Sequence, residues 1–147
     1  MRRAIEVARQ TVRQGAGPPF GSIIVRGDEV VAEGANRVQA EGDPTWHGEV
    51  AAIRAACRKL GTTDLAGCTL YATGEPCPMC QGAIYLAGLD RLVFGSFANE
   101  DVRWQGCRYR LTRQELARPI LERSLPASQV LAAEAGELFR EFTRQKP

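Results

Sequence analysis

Apolar and polar positions alternate along this chain with two distinct periods. Near the start Ile5, Ala8 and Val12 recur at helical spacing on one face, while Arg2, Glu6, Arg9 and Arg13 line the other. The spacing predicts an amphipathic helix over 2–14, closed by Gly15-Ala16-Gly17-Pro18-Pro19. Residues 22–26 and 29–33 are β-rich runs around Gly27-Asp28 and read as a hairpin. Val50, Ile53, Cys57 and Leu60 return to helical spacing, and Gly61 ends that helix. A buried strand is expected over 68–73, a helix over 78–87 with Pro78 in its first turn, and a short strand over 91–95. Strand, helix and strand at this spacing imply a right-handed parallel crossover. Farther on, 129–131 reads as one more strand, and 134–142 as a final helix packing Leu138 and Phe142. The elements sum to a three-layer α/β domain with a mixed sheet.

No internal repeat, low-complexity tract or long linker breaks the 147 residues, so one domain over 1–147 is expected, large enough to bury a core without staples. Hydrophobic residues at 44% and charged residues at 24% are ordinary for a globular protein. No apolar run approaches the ~18 residues of a membrane span. The opening Met1-Arg2-Arg3-Ala4-Ile5-Glu6 has basic residues without an apolar stretch, so no secretory signal is expected. The five cysteines are Cys57, Cys68, Cys77, Cys80 and Cys107. An odd count that includes a C-x-x-C pair fits a reducing compartment, which makes the cytoplasm the expected location. A net charge of +2 neither requires nor excludes a nucleic-acid partner.

Two short segments carry candidate chemistry: Trp46-His47-Gly48-Glu49 and Glu75-Pro76-Cys77-Pro78-Met79-Cys80. Each lies where a loop turns into a helix. Cys77 and Cys80 are three apart across a first helical turn, so both sulfurs can face one point. His47 can supply a third ligand, and both helix N-termini would aim their positive ends at the site. One histidine with two cysteines suits zinc, and three protein ligands leave a fourth tetrahedral position for water. Glu49 is placed as a proton shuttle, and H-x-E followed by P-C-x-x-C is a known signature of zinc deaminases. Other readings stand beside this one. The C-x-x-C pair suits a thioredoxin-like redox site, or half of a four-ligand structural zinc site. Cys57 is a poor fourth ligand for that, being ten residues or about 15 Å along a helix from His47. Cys68 and Cys107 are open by spacing. Glu49 alone suits a first-turn acid meeting the helix dipole.

Over 17–99 the chain resembles the cytidine deaminase superfamily, and within it the branch of small bacterial guanine and nucleobase deaminases. The resemblance rests on Pro19-Phe20-Gly21, Glu33-Gly34-Ala35-Asn36, Asp43-Pro44-Thr45, the Glu75–Cys80 segment and Gly82-Ala83-Ile84-Tyr85. It implies an α/β/α sandwich, a bound zinc, a homodimer and hydrolytic deamination of a small nucleobase. It also implies that Asn36 hydrogen-bonds the base or the ribose, that Phe20 lines the pocket, that the backbone N–H groups of Gly48 and Cys77 hold the substrate carbonyl or the water, and that Trp46 forms the pocket lip. Asn36 also reads as a turn residue after a strand, Phe20 equally as core, and Trp46 as cover for the helix end.

Departures from the branch bear on the substrate. Gly48 stands where most of the branch has alanine, and glycine there is also seen in fungal-type cytosine deaminases. Leu92-Val93-Phe94-Gly95 and Gln129-Val130-Leu131-Ala132-Ala133-Glu134 are closer to tRNA adenosine deaminases. No acidic substrate reader stands in 100–118, and the tail lacks the terminal tyrosine of domain-swapped relatives. Guanine therefore ranks first as substrate, cytosine or a related small base second, and adenosine in tRNA third. Arg103, Arg108, Arg110 and Arg113, interleaved with Trp104 and Tyr109, are the one feature favouring RNA, against a solvated basic face. The rival from another class is a zinc-stapled binding module without activity.

Overall fold

The computed structural model describes residues 1–96, 117–119, 122 and 131. Helix α1 covers Arg2–Arg13, where the spacing placed it, but it buries a different face. Ala4, Val7, Ala8 and Thr11 are buried, whereas Ile5 and Val12 are 37% and 50% exposed. The reason is how close the helix lies to the sheet. A methyl group at Gly21 would collide with the Ala4 carbonyl oxygen and stand 2.7 Å from the Ala8 nitrogen. Backbone meeting backbone places Ala4 and Ala8 at the closest approach, with Val7 and Thr11 buried beside them, while Ile5 and Val12 lie toward the outside. Thr11 tolerates burial because its hydroxyl donates to the Val7 carbonyl at 2.9 Å.

Strands β1 (Gly21–Arg26) and β2 (Glu29–Ala35) form the expected hairpin, each extended at the end away from the turn. Arg26 pairs with Glu29 across Gly27-Asp28, and Gly27 supplies the positive φ of 57° that a two-residue turn needs. Ile24 lies opposite Ala32 and Val25 opposite Val30, so Val31 is the extra residue of a β-bulge. A short helix α2 (Val38–Glu41) follows, which the apolar pattern does not announce; an Arg37–Glu41 ion pair of 2.8 Å spans it.

Helix α3 (Gly48–Leu60) ends as expected at Gly61, which adopts φ 67°. Its buried residues are Gly48, Glu49, Ala52, Ile53 and Ala56, while Val50, Cys57 and Leu60 are half-buried. The buried stripe is again displaced toward small residues, for the same reason as in α1. A methyl group at Gly34 of β2 would collide with the Gly48 carbonyl oxygen and the Ala52 nitrogen.

Strand β3 (Cys68–Gly74) pairs antiparallel with β1, and β4 (Arg91–Ser96) runs parallel to β3 after helix α4 (Pro78–Leu86). The described sheet has the order β2-β1-β3-β4 and is mixed, as expected. Gly21 of β1 meets α1, whereas Ser22 lies beside Gly48 of α3. Alternation along β1 thus places helices on both faces of the sheet. The core packs Ile24, Val31, Leu70 and Ala72 of the sheet against Ala52, Ile53 and Ala56 of α3 and Ile84 of α4. Register brings the start of β1 and the ends of β2, β3 and β4 to one rim, with Gly21 opposite Ala35 and Gly74 opposite Ser96.

The chain divides into two compact units, Met1–Cys107 and Arg108–Pro147. In the second, the Glu122 amide donates to the Pro119 carbonyl at 2.9 Å. Leu131, expected to close a strand, is exposed with φ 51°, a left-handed conformation incompatible with a strand. The rest of that expected strand, the expected helix over 134–142 and the basic segment 103–113 lie outside the described residues. Among the described residues no helix is long and apolar enough to cross a membrane.

Candidate metal centre

Helices α3 and α4 both begin at the rim just described. His47 is the N-cap of α3 and Cys77 the N-cap of α4, both with extended backbone. Neither makes the side-chain cap hydrogen bond that this position usually supplies. Their side chains instead approach one another. His47 Nδ1 lies 3.6 Å from Cys77 Sγ and 3.5 Å from Cys80 Sγ, and the two sulfurs are 3.5 Å apart. These three atoms form the group among the described residues that could hold a metal ion.

The triangle has the dimensions zinc requires. With Zn–S near 2.3 Å and Zn–N near 2.05 Å, a tetrahedral site has ligand edges of roughly 3.8 Å (S···S) and 3.6 Å (S···N). The observed edges fall within a few tenths of an ångström of these values. Cys68 and Cys57 lie outside the group, so a four-cysteine or Cys3His arrangement does not form among the described residues.

Protonation within the donor set follows from its crowding. The close contacts with Cys80 and His47 lower the Cys77 pKa to about 4. Cys77 in turn raises the pKa of His47, while its contact with Cys77 and its burial push the Cys80 thiol upward. A divalent cation in the same place would draw both thiols to thiolates. Glu49, two residues beyond His47, is only 5% exposed. Burial raises its carboxyl above the ordinary glutamate range, with the nearby Cys77 charge adding to the rise and His47 opposing it. A carboxyl whose proton affinity is raised in this way is suited to proton transfer.

Residues 1–96 match the family model of the cytidine and deoxycytidylate deaminase zinc-binding region. The chain belongs to this family and is a zinc-dependent hydrolytic deaminase. It is 40% identical over 149 residues to the guanine deaminase of Bacillus subtilis strain 168, covering 99% of this chain and 95% of that protein. The tRNA-specific adenosine deaminase of the same organism is 34% identical over 145 residues, covering 99% and 87%. The X-ray structure of guanine deaminase from Bacillus subtilis matches with a TM-score of 0.90 at 36% identity, covering 99% of this chain and 94% of that one.

The other anticipated residues of the deaminase gather around the same rim. Gly48 is buried in the first turn of α3. Asn36 is 5% exposed just after β2; its amide N–H donates to the Phe20 carbonyl at 2.9 Å, and its Oδ1 accepts from the Val38 amide at 3.2 Å. The turn role is therefore real, and the side-chain NH2 is left for other partners. The Phe20 ring lies over Gly74, where a methyl group would stand 2.9 Å from its Cε1. Trp46 is half-buried, and the Arg54 guanidinium sits 5.7 Å from its ring centroid.

Sequence reasoning passed over several supports of this site. The Thr73 hydroxyl accepts from the Gly21 amide and donates to the Pro19 carbonyl, each at 3.1 Å, fastening the Phe20 segment to the end of β3. Gln81 Nε2 donates to the Pro76 carbonyl at 2.8 Å and steadies the loop before Cys77. Arg54 packs its guanidinium against the Trp46 ring. The signal for each is a through-space neighbour, which a linear pattern does not contain.

Proposed function

We propose that this deaminase hydrolyses free guanine to xanthine and ammonia, with His47, Cys77 and Cys80 holding the zinc and Glu49 carrying the protons. The observation that supports guanine above other bases is the level of the likeness: over the same 99% of the chain, identity is 40% to a guanine deaminase and 34% to a tRNA-specific adenosine deaminase.

Zinc, when bound, supplies Lewis-acid activation of a water nucleophile at neutral pH. Glu49 takes a proton from that water as its oxygen bonds to the amino-bearing ring carbon, and delivers the proton to the adjacent ring nitrogen. Glu49 then takes the remaining hydroxyl proton and gives it to the amine. The carbon–nitrogen bond breaks, a carbonyl forms and ammonia departs, so one water is consumed per ammonia released. Asn36 offers its NH2 group to a substrate acceptor, since Val38 already engages its Oδ1. In this reading the backbone N–H groups of Gly48 and Cys77 hold the substrate carbonyl or the water, the Phe20 ring lines the pocket, and Trp46, braced by Arg54, forms its lip.

Both units of the chain would work as one catalytic domain over 1–147, in a homodimer, in the cytoplasm and in purine metabolism. Support for the dimer includes two apolar side chains on α4, Tyr85 and Leu86, which are 85% and 89% exposed.

The test is ammonia release on one panel of guanine, cytosine, isocytosine, adenine, their nucleosides and bulk tRNA, at low and physiological salt. Guanine should be turned over fastest, with little dependence on salt, because no array of phosphates is neutralised. Strong activity on tRNA that collapses with added salt would overturn the proposal and make the arginines of 103–113 a binding surface. Faster turnover of cytosine would keep the mechanism and reverse the substrate order. Stoichiometric zinc with no turnover of any substrate would favour the non-catalytic module.

A further inference from the structure

Gly74 is the buried last residue of β3, three residues before Cys77. Its φ is not positive, so the backbone there does not require glycine. A glycine inside a strand weakens it and often marks a place where another group comes close. Here that group is the Phe20 ring. A methyl group on Gly74 would stand 2.9 Å from Phe20 Cε1 and 3.3 Å from Cδ1, with Ser96 Oγ next at 4.0 Å. The ring is therefore the neighbour that a side chain at 74 would displace.

Register places this contact on the metal side of the sheet. Ser22 pairs with Ala72 across β1 and β3, so Phe20 and Gly74 stand opposite one another two residues nearer the rim. Side chains alternate along a strand, and Phe20 thus shares the face of Ser22, which lies beside Gly48 of α3. The Phe20 carbonyl oxygen meets the same first turn of α3, 3.0 Å from where a methyl on Gly48 would stand. Phe20 is held between the two segments that supply the metal ligands. Its carbonyl lies against the start of α3, and its ring lies against the strand end that leads to Cys77. It is only half-buried, so part of it stays open at the rim.

We propose that Gly74 is a specificity-determining residue of this deaminase: carrying no side chain, it lets the Phe20 ring lie back on β3 and leaves the pocket wide enough for a two-ring base. The inference rests on the reading of Phe20 as a pocket wall and of guanine as the substrate. Carbon atoms in contact stay roughly 3.5 Å or more apart, so a methyl at 74 obliges the ring to yield by about half an ångström. The ring then moves off the sheet, on the side where α3 and α4 begin. Isocytosine is the six-membered ring of guanine without the five-membered one, so it keeps slack where guanine has none.

The test is a double-mutant cycle of Gly74→Ala, Phe20→Leu and the combined variant, in the full-length zinc-loaded protein. Gly74→Ala should keep one zinc per chain and lower kcat/KM for guanine about tenfold or more, through KM, with kcat within about threefold of the parent. The inhibition constant of isocytosine against guanine turnover should change less than about threefold. Leucine has no counterpart of the ring carbon Cε1. Adding Gly74→Ala to the Phe20→Leu background should therefore cost less than about threefold in kcat/KM for guanine. Melting temperature is read without turnover: Gly74→Ala should lower it in the parent by overpacking, and leave it level or raise it on the Phe20→Leu background. Equal losses in both backgrounds would overturn the seating of the ring on Gly74. Equal losses for guanine and isocytosine, or an unchanged kcat/KM for guanine in Gly74→Ala, would overturn the specificity role. A parent protein that turns over no guanine would refute the proposed function instead, and the melting cycle would still decide whether Gly74 seats Phe20.

Discussion

Helices α3 and α4 each begin with an extended N-cap residue whose side chain turns toward the other helix, yet different things hold them in place. Helix α4 is set up locally. Pro78 presets the first turn, Cys77 and Cys80 lie one turn apart, and Gln81 reaches back to the Pro76 carbonyl. Helix α3 also follows a local turn, in which Asp43 Oδ1 accepts from the Thr45 amide and hydroxyl and the His47 amide donates to the Thr45 carbonyl, each at 2.7 Å, but its first turn lies against backbone far away in the chain. Its position comes from the sheet beneath: Gly34 and the Phe20 carbonyl, both distant in sequence. A site built this way has one arm that is robust to its surroundings and one that depends on packing. The dependent arm also carries the costly group, a carboxyl buried to 5% exposure.

The contrast makes graded predictions. The largest effect belongs to the ligands. Cys80→Ala should abolish stoichiometric zinc and reduce deamination to background, read by elemental analysis and ammonia release; retained zinc with activity would exclude Cys80 as a ligand. Next comes Glu49→Gln, which keeps shape and hydrogen bonding but cannot accept the proton. It should bind zinc normally and lose at least about 10²-fold in kcat. Near-normal turnover there would return Glu49 to the role of a first-turn acid meeting the helix dipole. The smallest effects compare the supports of the two arms. Gly34→Ala places a methyl group against the α3 backbone and should destabilise the fold by about 1–3 kcal/mol in urea unfolding. Gln81→Leu removes a single hydrogen bond beside α4 and should cost about 1 kcal/mol or less. If Gln81→Leu proved the more damaging of the two, the division into a locally held and a packing-held arm would be wrong.

The comparison also separates what could be read along the chain from what could not. The hairpin at Gly27-Asp28, the stop of α3 at Gly61 and the start of α4 at Pro78 were all predictable, because each depends on the backbone preferences of a few adjacent residues. The buried faces of α1 and α3 were not. Apolar spacing favoured Ile5, Ala8 and Val12 in α1 and Val50, Ile53, Cys57 and Leu60 in α3; Ala8 and Ile53 are buried, but close approach to Gly21 and Gly34 brought in Ala4, Ala52 and Ala56 in place of the others. Hydrophobicity ranks side chains by their gain on burial, but the distance between helix and sheet decides which of them fit, and two glycines set that distance.

For the site, His47, Glu49, Cys77 and Cys80 could be named from the sequence, because metal chemistry restricts the residue types and a helical turn restricts their spacing. That His47 Nδ1 stands within 3.6 Å of both sulfurs is a property of the tertiary structure alone. So are the burial of Glu49, the turn bond that leaves the Asn36 NH2 available, and the close approach of the Phe20 ring to Gly74. Residue type and local spacing are written along the chain. Distances between segments some thirty residues apart follow only from how the sheet brings β1, β2 and β3 to one rim, because close packing permits a single arrangement of the backbones that meet there.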